Sequence, residues 1–460
     1  MKRAVIKLFS VATLMLAGVV GAAAQMQGER VFVGELSLTL EQAIEMALSD
    51  NPTIKIAELE VERYDYVRKT TLGSLMPALS GSGTFHRTLI NQSMSEGMTI
   101  GGNQFNTISA GLEGSVALFA PAVYRTLKMN RVEAEAAVES ARSTKIDLVA
   151  AVKVSFYNVM LAERSLQVLE ASSQTAKQSV DETKIMFDNG LTSEYDLLTA
   201  QVQYSNLQPT IMQTRTSIAV AKEVLKMYLS IPEDVKIAVV GDFGAMQSEV
   251  VAASRNLSFD FSNNSALRSL ALSEDLLRAS LKVQNSARMP TLAAYAQITY
   301  QGTNMEAFSF SATSDSAASS GYWWQHPASA GLSLSVPIFS GLTNTNKARQ
   351  IKNQIEQIEL QRIYAEQSTA VSLSTAISNI YTARERYMAE LQTVEQATKA
   401  YSISNTRYNA GAGTMLELNS ARLSMTQAEL NLSQATYDLL SAKSEYDKIV
   451  GLDVEVKSEE

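Results

Sequence analysis

Hydrophobic and polar residues follow two rhythms along this chain. One is strict alternation. Ile108, Ala110, Leu112, Gly114, Val116 and Leu118 form an apolar or small face, against Ser109, Gly111, Glu113 and Ser115. The alternation is cleaner in Ala330, Leu332, Leu334, Val336 and Ile338 against Ser329, Gly331, Ser333 and Ser335, and it recurs in Leu292, Ala294, Ala296, Ile298 and Tyr300. The stretch from Leu79 to Leu89, with Gly81 and Gly83, carries it weakly. Period two over about ten residues predicts strands with one apolar and one polar face. The other rhythm is helical. After Pro121 no proline or glycine occurs up to Asp188, and Leu342 to Asn409 repeats this before Gly411. Pro121 suits a first helical turn and Asn189-Gly190 a helix end. About 68 residues at 1.5 Å each give a rod of roughly 100 Å. Its apolar positions form narrow seams: Ile146, Val149, Val152, Val154, Phe156 and Met160 in the first rod, and Ile351, Ile355, Ile358 and Ile363 in the second. Narrow seams rich in alanine and serine predict helices packed side by side. Returning helices of about 38 residues start at Thr192 and Thr414, with a kink or break expected at Pro209. Leading helices, Thr39 to Leu72 and Asn264 to Ala287, supply the missing length end to end.

The two rhythms occur in the same order twice. Asn51, Met76, Pro77 and Leu79 recur as Asn264, Met289, Pro290 and Leu292, a shift of 213. Gly111, Leu112, Ser115, Val116 and Phe119 recur as Gly331, Leu332, Ser335, Val336 and Phe339, a shift of 220. Gly190, Leu197 and Ala200 recur as Gly411, Leu418 and Ala421, a shift of 221. The expected organisation is a signal peptide at 1–24, a first repeat at 25–232, a linker at 233–260, a second repeat at 261–451 and a tail at 452–460. Lys2, Arg3 and Lys7, the apolar run Leu8 to Val20 and Ala22-Ala23-Ala24 make the signal, with cleavage before Gln25.

Charge and composition narrow the class. Removing three positive charges from −8 leaves −11, which argues against nucleic acid as a partner. Cysteine is absent, so an exported chain has no disulfide and no acceptor for a lipid anchor. No later segment reads as a transmembrane helix, which leaves weakly hydrophobic membrane strands open. Four strands cannot close a barrel, so at least two chains would share one. The loops Ile90 to Asn106 and Gln301 to Gln325 read as exposed, and Tyr322, Trp323 and Trp324 fit either a lipid-headgroup level or a loop core.

Catalytic chemistry finds no foothold. His86 and His326 lie outside any ligand spacing, no carboxylate loop suits a metal, and no serine has a base and an orienting group at a recognisable spacing. No cofactor is expected. A conduit fits the pattern better than a catalyst.

The order of motifs resembles the TolC family of outer-membrane efflux channels over nearly all of the chain. The resemblance rests on Leu38-Thr39-Leu40-Glu41-Gln42-Ala43-Ile44 with Asn51-Pro52, on the Met-Pro steps at Pro77 and Pro290, and on Ser335-Val336-Pro337-Ile338-Phe339-Ser340-Gly341. The paired tips Phe187-Asp188-Asn189-Gly190 and Tyr408-Asn409-Ala410-Gly411 complete it. It implies a mostly α protein with membrane β: a trimer with a twelve-stranded outer-membrane β-barrel, four strands per chain, continued by a periplasmic barrel of helical coiled coils. A periplasmic adaptor coupled to an inner-membrane transporter would meet Gly190, Leu191, Thr192 and Ser193, and Gly411, Ala412, Gly413 and Thr414. Aligned on the tip glycines, Asp196 and Tyr408 fall on a closing pair and Glu417 on a pore-ring carboxylate; a second ring aspartate is Ser420 here and a gate arginine is Gly413. The implied function is a passive exit duct for small molecules. A duct for type I protein secretion and a structural periplasmic coiled coil are the alternatives.

Overall fold

A computed structural model describes residues 35–88, 105–241, 243–253, 257–305 and 322–452. The expected signal peptide, most of both strand-tip loops and nearly all of the tail lie outside these residues. The chain opens with β1 (Glu35–Leu38), α1 (Leu40–Asp50), α2 (Pro52–Gly73), β2 (Ala78–Thr88), β3 (Phe105–Phe119), α3 (Pro121–Asp188) and α4 (Glu194–Leu229). It continues with β4 (Lys236–Val239), α5 (Phe243–Ala253), α6 (Ser265–Ser286), β5 (Thr291–Met305), β6 (Tyr322–Gln325), β7 (Ala328–Ser335), α7 (Thr343–Asn409) and α8 (Met415–Val450). The rods α3 and α7 run 68 and 67 residues, and the returning helices 36 each. No described helix is long and apolar enough to cross a membrane.

The first leading helix is two helices. Thr39 caps α1 in a capping box with Gln42, and the chain breaks at Asn51 because Pro52 disfavours helical backbone before it. Asn51 Oδ1 accepts the Thr53 N–H at 2.8 Å while its Nδ2 donates to the Tyr228 carbonyl at 2.7 Å, in the last turn of α4. Asn264 does the same in the second half: Oδ1 accepts from Leu267 N at 3.1 Å and Nδ2 donates to the Ile449 carbonyl at 2.8 Å. One side chain thus caps the start of a leading helix and the end of a returning one, splicing them end to end alongside a rod. Of the kink or break expected at Pro209, the break is absent: α4 runs through it, and the neighbouring Gln208 donates to Ser173 Oγ of α3 at 3.1 Å.

The largest core sits at mid-height. Leu148, Val149, Val152, Phe156, Val159 and Met160 of α3 pack with Ala43, Ile44 and Ala47 of α1, with Ala221, Leu225 and Leu229 of α4, and with Ile237 of β4 and Leu440 of α8. A second core joins Leu373, Ala376, Ile380 and Ala383 of α7 to Leu439 and Tyr446 of α8. The parallel pair β1–β4 closes over the first. The repeats are tied together where buried Glu139 of α3 accepts from Ser265 Oγ at 2.7 Å and Arg142 at 2.9 Å, and Arg142 donates to the Gly451 carbonyl at 2.7 Å.

The sheet corrects the expected β architecture. It has five strands, not four, in the order β2-β3-β5-β6 with β7 also on β5, and it is open. β6 and β7 pair successive stretches of the same edge of β5, separated at His326-Pro327, where the Pro327 carbonyl accepts the Thr299 N–H at 2.9 Å. β7 ends at Ser335 rather than Ile338, since Pro337 has no N–H for the ladder. Four lanes are too few to bring β2 round to β7, so neither a closed barrel nor a transmembrane strand is found in the described chain, and the twelve-stranded barrel is set aside. One sheet face is apolar and bare: Leu79, Phe85, Leu112, Ile298, Tyr300, Leu332 and Leu334 are all exposed. Tyr322 and Trp324 lie on β6 rather than in a loop, and the Tyr300 ring lies 5.1 Å from that of Trp324 and 4.1 Å from His326.

Candidate gate and docking tips at the hairpin ends

Both rods end in the same turn for the same reason. The Gly190 N–H donates to Phe187 O at 2.9 Å and the Leu191 N–H to Met186 O at 2.8 Å. At the second tip Gly411 donates to Tyr408 O and Ala412 to Arg407 O, both at 2.9 Å. This double bond needs left-handed backbone at the glycine, and Gly190 and Gly411 have φ of 69° and 71°. The residues after the glycine start the returning helices as N-caps. Ser193 Oγ accepts the Asp196 N–H and Thr414 Oγ1 the Glu417 N–H, each at 3.2 Å. Asp196 and Glu417 are therefore the same position, the third of a helix, in two copies of one hairpin.

Their carboxylates are engaged differently. Asp196 Oδ2 accepts from Ser193 Oγ at 2.7 Å and from Thr192 Oγ1 at 3.0 Å. The Ser193 hydroxyl is the main reason its carboxyl sits below the ordinary carboxylate range, against the opposing effect of partial burial and with help from Thr192 and the Ser193 N–H. Glu417 reaches back to the Thr414 N–H at 3.5 Å and faces Arg407 Nη1 at 3.8 Å. Within the chain Asp196 is not joined to Tyr408. Tyr408 instead packs, half-buried, on the cluster of Ala200, Met415 and Leu418 that ties the hairpins at the tip. Gly413 has no room to spare, since a Cβ there would stand 3.2 Å from Arg407 Cβ and Tyr408 N, and Ser420 is exposed. Of the other tip positions, Leu191 is 78 % exposed and Ala412 is exposed.

Three polar residues near the tip escaped the sequence reading. Arg407 donates to Ala412 O at 3.0 Å and so braces the second turn. Arg422 and Asn419 are buried on α8, with Arg422 Nη2 donating to Asn419 Oδ1 at 3.0 Å. Their signal lay in the seam: Met415, Leu418, Arg422 and Thr426 recur at helical spacing, which places a cation on the buried stripe. Among the described residues no cluster of His, Cys, Asp or Glu could hold a metal ion.

The model of the family "Outer membrane efflux protein" matches residues 43–229 and 261–452. The chain is similar to the outer membrane protein TolC of Vibrio cholerae, 21% identical over 345 residues covering 75% of this chain and 76% of that protein. It is also similar to the alkaline protease secretion protein AprF of Pseudomonas aeruginosa, 21% identical over 413 residues covering 88% and 83%. Its fold is shared with the solved CmeC outer membrane channel of Campylobacter jejuni, with a TM-score of 0.68 at 15% identity over 90% of this chain and 85% of that one. The family match spans both helical hairpins and both leading helices. The chain belongs to the outer membrane efflux protein family: it is an outer-membrane exit duct of a multicomponent efflux system, with a large periplasmic part.

Proposed function

We propose that three copies of the chain surround one passage for small molecules, and that the passage is closed and docked at the hairpin tips. The twin tips carry this reading. Two rods of nearly equal length end in identical glycine turns, and both turns are left exposed. Gly190, Leu191, Thr192, Ser193, Gly411, Ala412, Gly413 and Thr414 form the surface for a periplasmic adaptor, which links the duct to an inner-membrane transporter. Asp196, Tyr408 and Glu417 form the gate, one carboxylate per hairpin with Tyr408 in the cluster between them. Copies meet along the bare apolar stripes of α4 (Leu198, Val202, Met212, Val220, Val224) and α7 (Leu360, Tyr364, Val371). The remaining partner of the duct is the lipid bilayer of the outer membrane. Residues 25–232 and 261–451 are the two repeats, joined by 233–260.

A second cargo, a secreted protein, is favoured by the likeness to AprF, a protease secretion protein of which 83% is covered. The chain has no cysteine, so single cysteines carrying a photocrosslinker at Leu191 or Ala412 report on the tips without background. Adducts with a periplasmic adaptor are expected from both sites and none from Leu332 on the sheet. Adducts from Leu332 alone would overturn the assignment of the tips.

A further inference from the structure

The seam between the α3–α4 and α7–α8 hairpins changes character along its length. At mid-height it is apolar, where Leu440 of α8 enters the core of Val152, Phe156 and Val159. Toward the tip it turns polar. Thr426 Oγ1 donates to Ser172 Oγ at 2.9 Å, and below this lie Arg422 and Asn419. Arg422 is 6 % exposed and makes no ion pair among the described residues. Among the described residues its one acceptor is Asn419 Oδ1, and burial pulls its pKa below the ordinary arginine value, with Tyr401 nearby opposing. Asn419 Nδ2 is sealed from solvent with no acceptor among the described residues. A buried guanidinium without a carboxylate and an amide donor without a partner both favour any arrangement that admits water. The equivalent positions of the first hairpin are Leu198 and Gln201, and Leu198 is exposed, so this pair belongs to one hairpin only. Below it the tip is held by the small cluster of Ala200, Met415 and Leu418.

We propose that Asn419 and Arg422 are positioning residues that keep the lower seam under-satisfied, so that the tip half of the α7–α8 hairpin separates readily from α3–α4 while the apolar upper half stays clamped. The link from this separation to conduction rests on the gate reading above; the separation itself does not. Amide hydrogen exchange on the full-length purified protein tests it, with Arg422→Met removing the charge at similar length and Asn419→Leu as the second variant. Exchange across residues 415–426 slows about tenfold in either variant if the donors loosen the seam. Unchanged or faster exchange in both overturns the proposal and makes the pair a structural support. Slower exchange also lowers single-channel conductance; slower exchange with conductance unchanged overturns the link to opening and leaves the seam as described. A parent protein that does not conduct at all counts against the duct reading, not against the seam.

Discussion

At Ser230 and Gly451 one backbone turn is met by two different residues. Each follows a returning helix with left-handed backbone, at φ of 56° and 72°. For serine this conformation costs about 1 kcal/mol, while a glycine there adds roughly 0.5 kcal/mol of unfolded-chain entropy. Ser230→Gly is therefore expected to stabilise by about 0.5 kcal/mol. Gly451 has a second constraint, because a Cβ would stand 2.3 Å from Asn263 O. Gly451→Ala is expected to destabilise by about 2 kcal/mol or more, and denaturant unfolding of the two variants shows opposite signs. Asp196 gives a pH-dependent test. Its carboxyl titrates below the ordinary value in the folded chain. Its contribution is thus present above the unfolded pKa of about 4 and is lost as pH falls through the lower folded value. Asp196→Asn is expected to speed amide exchange at the first tip near pH 7 and to make a shrinking difference as the pH falls through the folded value. The tip glycines were legible in the sequence because only one backbone conformation ends a helix that way. Arg422 was not, because a cation on a buried stripe looks like a solvated one until its neighbours are known.

At the scale of elements, the splice made by Asn51 and Asn264 explains why these asparagines recur. Each satisfies a helix start and a helix end at once, so Asn51→Ala and Asn264→Ala are each expected to cost about 1–3 kcal/mol. The two sites lie in different junctions, and the double variant is expected to show the sum of the two losses in denaturant unfolding. Rod lengths could be read directly from the chain, since Pro121, Gly190 and Gly411 punctuate otherwise unbroken helical runs. The first leading helix is expected to be continuous and breaks at Asn51-Pro52, while α4, expected to kink or break at Pro209, runs through it unbroken. Local proline chemistry is the same at both; what differs is the surrounding packing, with Ile211 buried beyond Pro209 and Asn51 drawn to Tyr228. The last strand is expected to run through Pro337 but stops before it, and β6 falls within the expected exposed loop; its pairing with β5 is a long-range feature that no local pattern contains.

For the whole molecule, the sequence foretold alternating strands and side-by-side rods, and both are present; the family resemblance also implied a closed twelve-stranded wall, and the sheet is open. Alternation fixes which side chains share a face, but closure depends on the edges, and the edges β2 and β7 do not meet. What the molecule does offer is a long hairpin pair with bare apolar stripes and tips bearing Asp196 and Glu417, the latter facing Arg407; the proposed gate sets these carboxylates at the narrowest point of the duct. Recording from purified protein in a planar lipid bilayer tests that claim most directly. The account predicts discrete conductance steps that multivalent cations block from the periplasmic side, with weaker block in Glu417→Gln. A protein that inserts but yields no discrete steps would contradict it.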